Sequence, residues 1–218
     1  MHIAIMMDGN GRWGTKQGLT RSQGHYAGAK AMEKIIATAV DMKITVLTLY
    51  AFSTENWKRP QEEVSYLMNL PVYYLREKLP EYKEKGIQVR VFGDREGLPP
   101  ETIAALAKAE EETKENRSLF VNFAVNYGGR NELVHAMRQV VNYLQESGFD
   151  EVNEELINRY LYTKELPDPD IIIRTGGEKR LSNFLLWQSS TAELWFTNVL
   201  FPDFTPAMPK DAIKEVQC

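Results

Sequence analysis

The chain has 218 residues, of which 43% are hydrophobic and 26% are charged, and its formal net charge is −4. This length suits one large α/β domain or two small ones, and the acidic balance argues against a nucleic-acid-binding protein, which normally carries a basic face. The single cysteine, Cys218, excludes a disulfide framework and a cysteine-rich metal site, as expected in a reducing compartment. No apolar run approaches the roughly 20 residues of a membrane span, and no secretory signal is visible.

The chain opens on an apolar run over residues 2–7, which predicts a buried first strand. An acid, two glycines, an amide, an arginine and a tryptophan follow at once: Asp8, Gly9, Asn10, Gly11, Arg12 and Trp13. Glycine lets backbone N–H groups approach an anion closely, and arginine binds phosphate with a planar fork. Asp8, at the carboxyl end of a strand, is placed to hold a hard cation such as Mg²⁺. The same residues would also form an ordinary strand-to-helix loop.

The remaining elements alternate between strands and helices. Continuous apolar or β-branched runs predict strands over 44–52, 87–92, 119–125, 170–174 and 193–196. Apolar residues at helical spacing predict helices over 25–42, from 60 onward, and over 101–116, 131–146 and 153–161. Pro71 is expected to kink or interrupt the helix that starts at Pro60, and the tail is expected to hold a weak helix. The alternation predicts a single α/β domain with a mostly parallel central sheet flanked by helices.

Parallel strands bring their carboxyl ends to one edge of a sheet, so the loops after the first, second and fifth strands should meet in one crevice. That crevice would collect the cationic side chains of these loops: Arg12, Arg21, His25, Arg59, Arg174 and Arg180. So many cations together call for an anionic partner, and phosphates or diphosphates fit best. Taken one at a time, each arginine would also be explained by a surface ion pair with a nearby acid.

Several classes of enzyme lack their sequence signals. There is no Walker A motif, dinucleotide fingerprint, kinase set or nucleophile elbow. A zinc site would need clustered histidines or thiolates, which the chain does not offer. Magnesium needs only one or two carboxylates plus substrate phosphate oxygens, and the candidates are Asp8 and Glu193. By its position alone, Glu193 would equally be an ordinary acid at a strand end.

Aromatic and apolar side chains accompany the charged loops: Trp13, Tyr50, Phe52, Trp57, Leu67, Met68, Val72, Leu119 and Phe123. A stripe of this kind usually forms core. Several of the aromatic residues, however, lie inside the charged loops, where a core does not require them. A cationic rim joined to an apolar interior suits an amphiphilic substrate with a phosphate head and a hydrocarbon tail.

A set of ungapped motifs occurs along the chain in a fixed order: Asp8-Gly9-Asn10-Gly11-Arg12-Trp13, Gly24-His25, Tyr50-Ala51-Phe52-Ser53-Thr54-Glu55-Asn56-Trp57, Asn126-Tyr127-Gly128-Gly129-Arg130, Ile173-Arg174-Thr175-Gly176-Gly177-Glu178, Arg180-Leu181-Ser182-Asn183-Phe184-Leu185-Leu186-Trp187-Gln188 and Ala192-Glu193-Leu194. Together these motifs resemble the cis-prenyltransferases, and within that family the bacterial undecaprenyl diphosphate synthases. The resemblance extends over nearly the whole chain.

The resemblance implies a homodimer with a hydrophobic tunnel between sheet and helices. Its activity would be the sequential cis-condensation of isopentenyl diphosphate onto an allylic primer, typically farnesyl diphosphate, with Mg²⁺ as cofactor. The long-chain polyprenyl product would be undecaprenyl diphosphate, for the lipid carrier of cell-wall synthesis. Leu119 would close the tunnel and set the product length. The enzyme would be cytoplasmic and would touch the inner face of the membrane transiently through its lipid product.

The resemblance also assigns roles to residues. Asp8 would be the essential acid and a Mg²⁺ contact, with Glu193 as the second magnesium carboxylate. Asn56 would be the proton acceptor, although a neutral amide is a poor base and would act through water or diphosphate. The substrate-binding residues would be Gly9, Asn10, Gly11, Arg12, Trp13, Arg21, His25, Ser53, Thr54, Glu55, Trp57, Arg59, Arg174, Arg180, Leu181 and Ser182.

Two departures from the family pattern and two other functions enter the prediction. The arginine-rich C-terminal tail of the family is expected to be absent from this chain, and Lys179 stands where some relatives have histidine. A magnesium-dependent phosphatase or phosphotransferase would use Asp8 as nucleophile, but Asn10 stands where such sites place a second acid. A non-catalytic diphosphate-binding partner subunit would not need Asp8, Asn56 and Glu193.

Overall fold

The computed structural model describes residues 1–147 and 151–216. Its centre is a six-stranded sheet in the order β3-β4-β2-β1-β5-β6, and every pairing is parallel. The strands are β1 His2–Met6, β2 Val46–Ser53, β3 Ile87–Phe92, β4 Leu119–Tyr127, β5 Ile171–Arg174 and β6 Glu193–Phe196. The predicted single α/β domain with a parallel sheet is confirmed.

Helices connect and cover the strands. They are α1 Asn10–Lys16, α2 Arg21–Asp41, α3 Gln61–Glu84, α4 Pro100–Thr113, α5 Gly129–Ser147, α6 Glu154–Asn158 and α7 Ala207–Val216. Two 3₁₀ turns lie at Thr54–Lys58 and Phe201–Asp203. β1 lies between β2 on one side and β5 on the other, so later strands of the chain are added on both of its sides. In a doubly wound sheet this is the place where a ligand crevice opens, at the carboxyl end of β1.

The first two helices differ from the prediction. α1 forms inside the segment that the sequence left as a loop, and Gly9 makes the turn before it with a φ of 110°. This left-handed conformation favours glycine. α2 begins at Arg21 rather than His25, because Thr20 and Gln23 form a capping box: the Gln23 N–H donates to the Thr20 hydroxyl at 3.2 Å, and the Thr20 N–H donates to Gln23 Oε1 at 2.9 Å.

α3 continues through Pro71 and Pro80, so of the two outcomes predicted for Pro71, a kink or an interruption, the interruption is not found. A proline removes one intrahelical hydrogen bond, but burial of a helix face contributes more to helix stability than propensity does. Met68 and Leu75 on this face are each 3% exposed. The buried hydroxyl of Thr102 on α4 also donates to the Met68 carbonyl at 2.9 Å, which ties α3 to α4 in the turn before Pro71.

Three further points complete the comparison with the sequence. Within the part of the chain that the structure describes, no helix is long and apolar enough to cross a membrane. Cys218, the residue behind the prediction of a reducing compartment, lies outside the described residues. The tail expected to hold a weak helix contains α7, in which Ala212 and Ile213 are buried.

Candidate functional site

A polar cavity of about 590 Å³ opens at the carboxyl end of β1. The loops after β1, β2, β4 and β5 build its wall, as the parallel topology predicts. The predicted site residues in this wall are Asp8, Ser53, Glu55, Asn56, Arg59, Arg174, Arg180 and Ser182. The other lining residues are Met6, Met7, Tyr50, Arg130, Asn183 and Leu186. The structure therefore brings eight of the nineteen predicted site residues together in one cavity.

The Asp8 cluster, made of Asp8, Arg12, Arg174, Thr175 and Ser182, forms one side of this cavity. Arg174 Nη2 donates to Asp8 Oδ2 at 2.9 Å, and Arg12 Nη2 donates to Asp8 Oδ1 at 3.2 Å. The Thr175 hydroxyl donates to the Asp8 carbonyl at 2.7 Å and accepts the Asp8 N–H at 3.0 Å, which fixes the backbone at the strand end. The Asp8 side chain is still 34% exposed, so its carboxylate is accessible from the cavity.

Arg174 is the buried cation of the Asp8 cluster, with a residue exposure of 4%. Its Nη1 donates to the Ser182 hydroxyl at 2.7 Å and to the Arg180 carbonyl. Its Nε is buried and has no hydrogen-bond partner among the described residues. Because buried donors are normally paired, this guanidinium has capacity for an anionic oxygen that the described residues do not supply.

The Glu63 cluster, made of Glu63, Arg21, His25 and Arg59, forms a second charged group. Arg21 grips the Glu63 carboxylate with two hydrogen bonds, from Nε at 2.8 Å and from Nη2 at 3.1 Å. Arg59 Nη1 and His25 Nε2 meet the same carboxylate at Oε1, at 2.8 and 3.0 Å. Three donors that the sequence analysis assigned to substrate phosphate therefore converge on one acid, which the sequence analysis did not name.

Electrostatics keeps Glu63 ionised. Burial alone would raise the pKa of this carboxyl, but the hydrogen bonds from Arg21 and His25 and the charge of Arg59 outweigh burial and lower the pKa to about 2. For His25, burial is the main cause of a pKa below the usual value of 6.5, and the neighbouring arginine Arg59 adds to it. At neutral pH the cluster thus holds a neutral imidazole and two guanidinium groups around one carboxylate.

An apolar cavity of about 90 Å³ lies between α2, α3 and the sheet. Its wall is largely aliphatic and aromatic: Met7, Ala29, Met32, Ala51, Leu67, Leu70, Pro71, Tyr74, Leu75, Leu106, Phe123, Val125 and Phe201, with Asn10, His25 and Gly28 at one end. This is the place where the resemblance predicts a tunnel. Met7 lines both the polar and the apolar cavity, so the two cavities meet beside Asp8.

Asp8 and Glu193 are not brought together within one chain. Glu193 is the first residue of β6 and pairs with Ile171, which pairs in turn with Ile3 on β1. Glu193 therefore lies three residues before the level of Met6 and two strands away from it, roughly 14 Å by standard strand spacings. Ligands of Mg²⁺ lie about 2 Å from the ion, so the prediction that these two carboxylates share one ion is not met within a single chain.

Of the two predicted magnesium carboxylates, only Asp8 lies in the polar cavity, where it would fit a magnesium site. Its carboxylate lines the cavity and stays partly exposed at a strand end. Among the described residues, no three His, Cys, Asp or Glu side chains lie close enough to hold a metal by themselves. Mg²⁺ commonly binds one or two carboxylates together with phosphate oxygens, so a phosphate-bearing ligand would have to complete this site.

Asn56 lines the polar cavity with its amide already in use. Its Oδ1 accepts the Ser53 N–H at 3.1 Å, as part of the cap of the 3₁₀ turn. One of the two lone pairs of the atom that would accept a proton is therefore already used, and the Asn56 Nδ2 group can bind a ligand as a donor. A donor role suits a neutral amide better than the role of a base does.

The remaining predicted residues have structural contacts. Trp13 Nε1 donates to Asp203 at 2.8 Å, and Trp57 Nε1 donates to Asn126 at 2.7 Å. The other four predicted residues in this group are Gly9, Gly11, Thr54 and Leu181. Thr54 donates to the neighbouring Glu55 carboxylate, Leu181 packs against the smaller core cluster, and Gly9 makes the turn before α1. A Cβ at Gly11 would lie 2.6 Å from the Arg21 guanidinium carbon, so glycine is what lets that arginine reach Glu63.

Sequence reasoning missed four residues of the site. Glu63 follows Arg59 by one helical turn in the first turn of α3, where acids are favoured, and that spacing was the available signal. Asn183 and Arg130 line the cavity from motifs that the sequence analysis quoted without giving them a role. Glu132 is buried under the cavity wall and gave no sequence signal.

Glu132 supports the cavity from below. It accepts the Tyr127 hydroxyl at 2.6 Å, Gln188 Nε2 at 3.0 Å and the Tyr162 N–H at 2.9 Å, and burial raises its pKa. The Tyr50 hydroxyl, from the cavity wall, donates to the Tyr127 carbonyl at 3.1 Å. This network ties β4 and α5 to the segment that carries Ser182 and Asn183.

The arrangement as a whole can receive an amphiphile. Two cationic groups flank a polar cavity, and an apolar cavity begins at their common edge. Phosphate groups fit the cationic side, and a hydrocarbon fits the apolar side.

Comparisons with known proteins address the same question. The family model described as putative undecaprenyl diphosphate synthase matches residues 6–218. An isoprenyl transferase from Halalkalibacterium halodurans is 52% identical over 218 residues, which cover 99% of this chain and 85% of that protein. An isoprenyl transferase from Bacillus thuringiensis is 50% identical, with 99% of this chain and 84% of that protein covered.

Two solved structures extend the comparison to the fold. Lavandulyl diphosphate synthase from Lavandula x intermedia, in complex with dimethylallyl diphosphate, superposes with a TM-score of 0.95 at 34% identity, over 100% of this chain and 94% of the other. A probable undecaprenyl diphosphate synthase from Campylobacter jejuni superposes with a TM-score of 0.82 at 36% identity, over 99% of this chain and 94% of the other.

Proposed function

The chain belongs to the undecaprenyl diphosphate synthase family of prenyltransferases and is a cis-prenyltransferase that elongates prenyl diphosphates, and on that premise we propose that its primer is farnesyl diphosphate and its product undecaprenyl diphosphate. The phosphatase and the non-catalytic subunit are not favoured by these relatives. Isopentenyl diphosphate is the extending unit in this proposal, and Mg²⁺ is the cofactor.

The meeting of the two cavities at Met7 is the observation that carries the proposal. A primer with its diphosphate near the Glu63 cluster and its hydrocarbon in the apolar cavity would place its reactive carbon near Met7 and Asp8. Asn10 and His25 line the apolar cavity, and the diphosphate of the primer would lie beside them. The buried Oδ1 of Asn10 has no partner among the described residues.

The second diphosphate would bind on the opposite side of the polar cavity. Arg174 has a buried unpaired Nε, and Arg180 and Ser182 line the same wall. Isopentenyl diphosphate held there would present its alkene to the primer across the cavity. The separation of the two cationic groups supports one binding site for each substrate.

The chemistry forms one carbon–carbon bond per cycle. The C–O bond of the primer breaks as the alkene of isopentenyl diphosphate attacks the allylic carbon, and the departing diphosphate takes the electron pair. Loss of one proton from the extending unit then gives the elongated allylic diphosphate. Arg21 and Arg59 would stabilise the charge that develops on the leaving group. Bound Mg²⁺, held by Asp8, supplies further stabilisation of that charge.

The protein also has to protect the cation and remove the proton. The apolar wall at Met7 and Ala51 would keep water from the allylic carbon. Because Asn56 Oδ1 accepts the Ser53 N–H, we assign the proton to an oxygen of the departing diphosphate. Asn56 Nδ2 would hold that oxygen in place as a donor.

Assembly and location form part of the same proposal. α5 exposes an apolar face at Val134, Met137 and Val141, which are 49%, 45% and 47% exposed. Exposed patches of this kind mark contact surfaces, and a second copy of the chain would cover this one in a homodimer. Contact with the inner face of the membrane would come through the lipid product.

Incorporation of labelled isopentenyl diphosphate tests the proposal. With Mg²⁺ and farnesyl diphosphate, the purified protein is expected to form a butanol-extractable product, and undecaprenyl diphosphate is expected to be its main component. Omission of the primer, or addition of a chelator, should abolish this product. Release of inorganic phosphate without chain elongation would contradict the proposal, as would normal elongation by an Asp8→Ala variant.

A further inference from the structure

The segment of residues 180–186, here called the Asn183 segment, lies between β5 and β6 and forms part of the wall of the polar cavity. Its backbone is left-handed at several positions, with φ values of 44° at Ser182, 66° at Asn183 and 45° at Leu185. Asparagine tolerates this conformation, whereas serine and leucine rarely adopt it. Strained backbone of this kind persists only where surrounding contacts hold it, and it is concentrated at active sites and ligand clamps. The side chain of Asn183 supplies such contacts.

Asn183 joins three parts of the cavity wall. Its backbone carbonyl accepts the Gly129 N–H at 2.7 Å, and its Oδ1 accepts the Arg130 N–H at 2.9 Å, both at the start of α5. Its Nδ2 donates to Glu55 Oε1 at 2.8 Å, in the 3₁₀ turn after β2. A Cβ at Gly128 would lie 2.6 Å from this Nδ2, so the glycine leaves room for the side chain. One asparagine thus connects the chain that follows β2, β4 and β5.

Glu55 is the charged partner among these contacts. Burial alone would raise the pKa of its carboxyl, but hydrogen bonds, first among them the one from Asn183, lower the pKa below its usual value. Glu55 is therefore ionised at neutral pH, and a hydrogen bond to an ionised group is stronger than one between neutral groups. Glu55 directly precedes Asn56, which would hold the departing diphosphate in the proposed reaction. The contact ties Asn183 to the turn on which that diphosphate would rest.

On its other side, Asn183 adjoins the residues assigned to the extending unit. The hydroxyl of Ser182 accepts Arg174 Nη1 at 2.7 Å, and the carbonyl of Arg180 accepts the same nitrogen. These three residues would bind isopentenyl diphosphate. Asn183 therefore lies between the side chains for the incoming diphosphate and the turn for the departing one.

We propose that Asn183 is a positioning residue for the condensation, which through Glu55 fixes the bound isopentenyl diphosphate relative to the departing diphosphate of the primer. The proposal rests on the proposed function, which places isopentenyl diphosphate at Arg174 and Ser182. Asn183 acts through its neighbours rather than on the reacting atoms. Without its bond to Glu55, the Asn183 segment and the 3₁₀ turn are free to shift apart, and the alkene is aligned with the allylic carbon less often. Small displacements of reacting groups lower the rate of bond formation strongly.

An Asn183→Asp substitution tests the proposal. Aspartate tolerates the same backbone conformation and keeps an acceptor for the Arg130 N–H, but it places a carboxylate against Glu55. We expect kcat/KM for isopentenyl diphosphate to fall at least about tenfold, mainly through kcat, the scale of a lost hydrogen bond to a charged group. Binding of a thiodiphosphate analogue of farnesyl diphosphate should not change. Asn69→Asp is the matched control, because this exposed asparagine on α3 lines neither cavity.

Exchange of donor and acceptor separates positioning from a general loss of structure or a change of charge. With Glu55→Gln added to Asn183→Asp, the glutamine amide donates to the introduced carboxylate, and most of the lost kcat should return. Glu178→Gln removes a charge from a carboxylate paired with Arg180 without restoring that bond. In double-mutant cycles, Asn183→Asp should therefore be strongly non-additive with Glu55→Gln and close to additive with Glu178→Gln.

Three results would overturn the proposal: wild-type kcat in Asn183→Asp, additivity of Asn183→Asp with Glu55→Gln, or weaker binding of the primer analogue by Asn183→Asp. If Asn183→Asp does not fold, Glu55→Ala removes the same contact from the other side and should show the same fall in kcat. Wild-type kcat in that variant would then overturn the proposal. Absence of elongation by the wild-type chain would instead contradict the proposed function.

Discussion

The two cationic groups of the site differ in how fully their donor side chains surround the carboxylate that they share. In the Glu63 cluster a nearly buried carboxylate takes hydrogen bonds from Arg21, His25 and Arg59. In the Asp8 cluster the carboxylate is 34% exposed and shares its oxygens between a buried arginine and an exposed one. The first acid is surrounded by its partners, whereas the second remains open to a ligand.

Because of this difference, the two acids have different functions in the proposed reaction. Glu63 holds three donors in place before any substrate arrives, which reduces the cost of arranging them around a diphosphate. Asp8 keeps a carboxylate available for a cation while it orients Arg174. In the proposed reaction Glu63 is accordingly a positioning residue, and Asp8 is a catalytic one.

The largest expected effect follows from removing the open acid. An Asp8→Ala substitution removes the predicted magnesium contact and leaves the buried guanidinium of Arg174 without its carboxylate partner. We expect kcat to fall by roughly 10³-fold, the scale of losing a main electrostatic group. Initial rates with varied Mg²⁺ measure this, and Asp211→Ala on α7 is the control. A fall in kcat of less than tenfold would contradict a catalytic role for Asp8.

Arg174→Lys should have the next largest effect. Lysine cannot reproduce the fork that contacts Asp8, Ser182 and the Arg180 carbonyl. We expect kcat/KM for isopentenyl diphosphate to fall on the order of 10²-fold, mainly through KM. Arg159→Lys, at an exposed arginine paired with Glu155, should change nothing. An equal rise in the KM for the allylic substrate would erase the distinction between the two clusters.

Glu63→Gln is expected to act on the other substrate and less strongly. The amide keeps the shape of the side chain but not the charge that gathers Arg21 and Arg59. We expect the KM for farnesyl diphosphate to rise about tenfold, the scale of one buried charged hydrogen bond, with a smaller fall in kcat because Arg21 and Arg59 also stabilise the departing diphosphate. Glu62→Gln, the exposed neighbour, is the matched control. A loss confined to kcat would show that Glu63 takes part in chemistry rather than in positioning.

The smallest expected effect is a pH dependence of stability. The Glu63 pKa is lowered from 4.5 to about 2, so its contribution is present above about pH 4.5 and is lost as the pH falls toward 2. The lowered pKa of His25 acts in the same direction, beginning as the pH drops below 6.5. Denaturant unfolding of wild type and Glu63→Gln between pH 7 and 3 should therefore show a shallower pH slope in the variant. Parallel slopes would contradict the assigned pKa.

The sequence predicted what depends on local pattern. The buried strand β3 was found to the residue and the other buried strands to within two residues at each end, and the loops that carry Asp8, Asn56 and Arg174 were placed at one sheet edge by topology alone. The continuous helix through Pro71 could not be predicted, because packing of its buried face outweighs the missing hydrogen bond. The hydrogen-bond partners of Glu63 also could not be predicted from the sequence. Arg21 and His25 contact Glu63 only once α2 and α3 have packed against each other.

Strand register explains why the two predicted magnesium carboxylates do not meet within one chain. Glu193 opens a strand, as predicted, but the register with β5 puts that strand start far from Asp8.

Equilibrium binding of a non-hydrolysable thiodiphosphate analogue of farnesyl diphosphate, followed by calorimetry without isopentenyl diphosphate, tests most directly whether the two clusters serve different substrates. The Glu63→Gln variant should bind this analogue about tenfold more weakly than the wild type, whereas Arg174→Lys should bind it with unchanged affinity. Weaker binding by Arg174→Lys with wild-type affinity in Glu63→Gln would contradict the account.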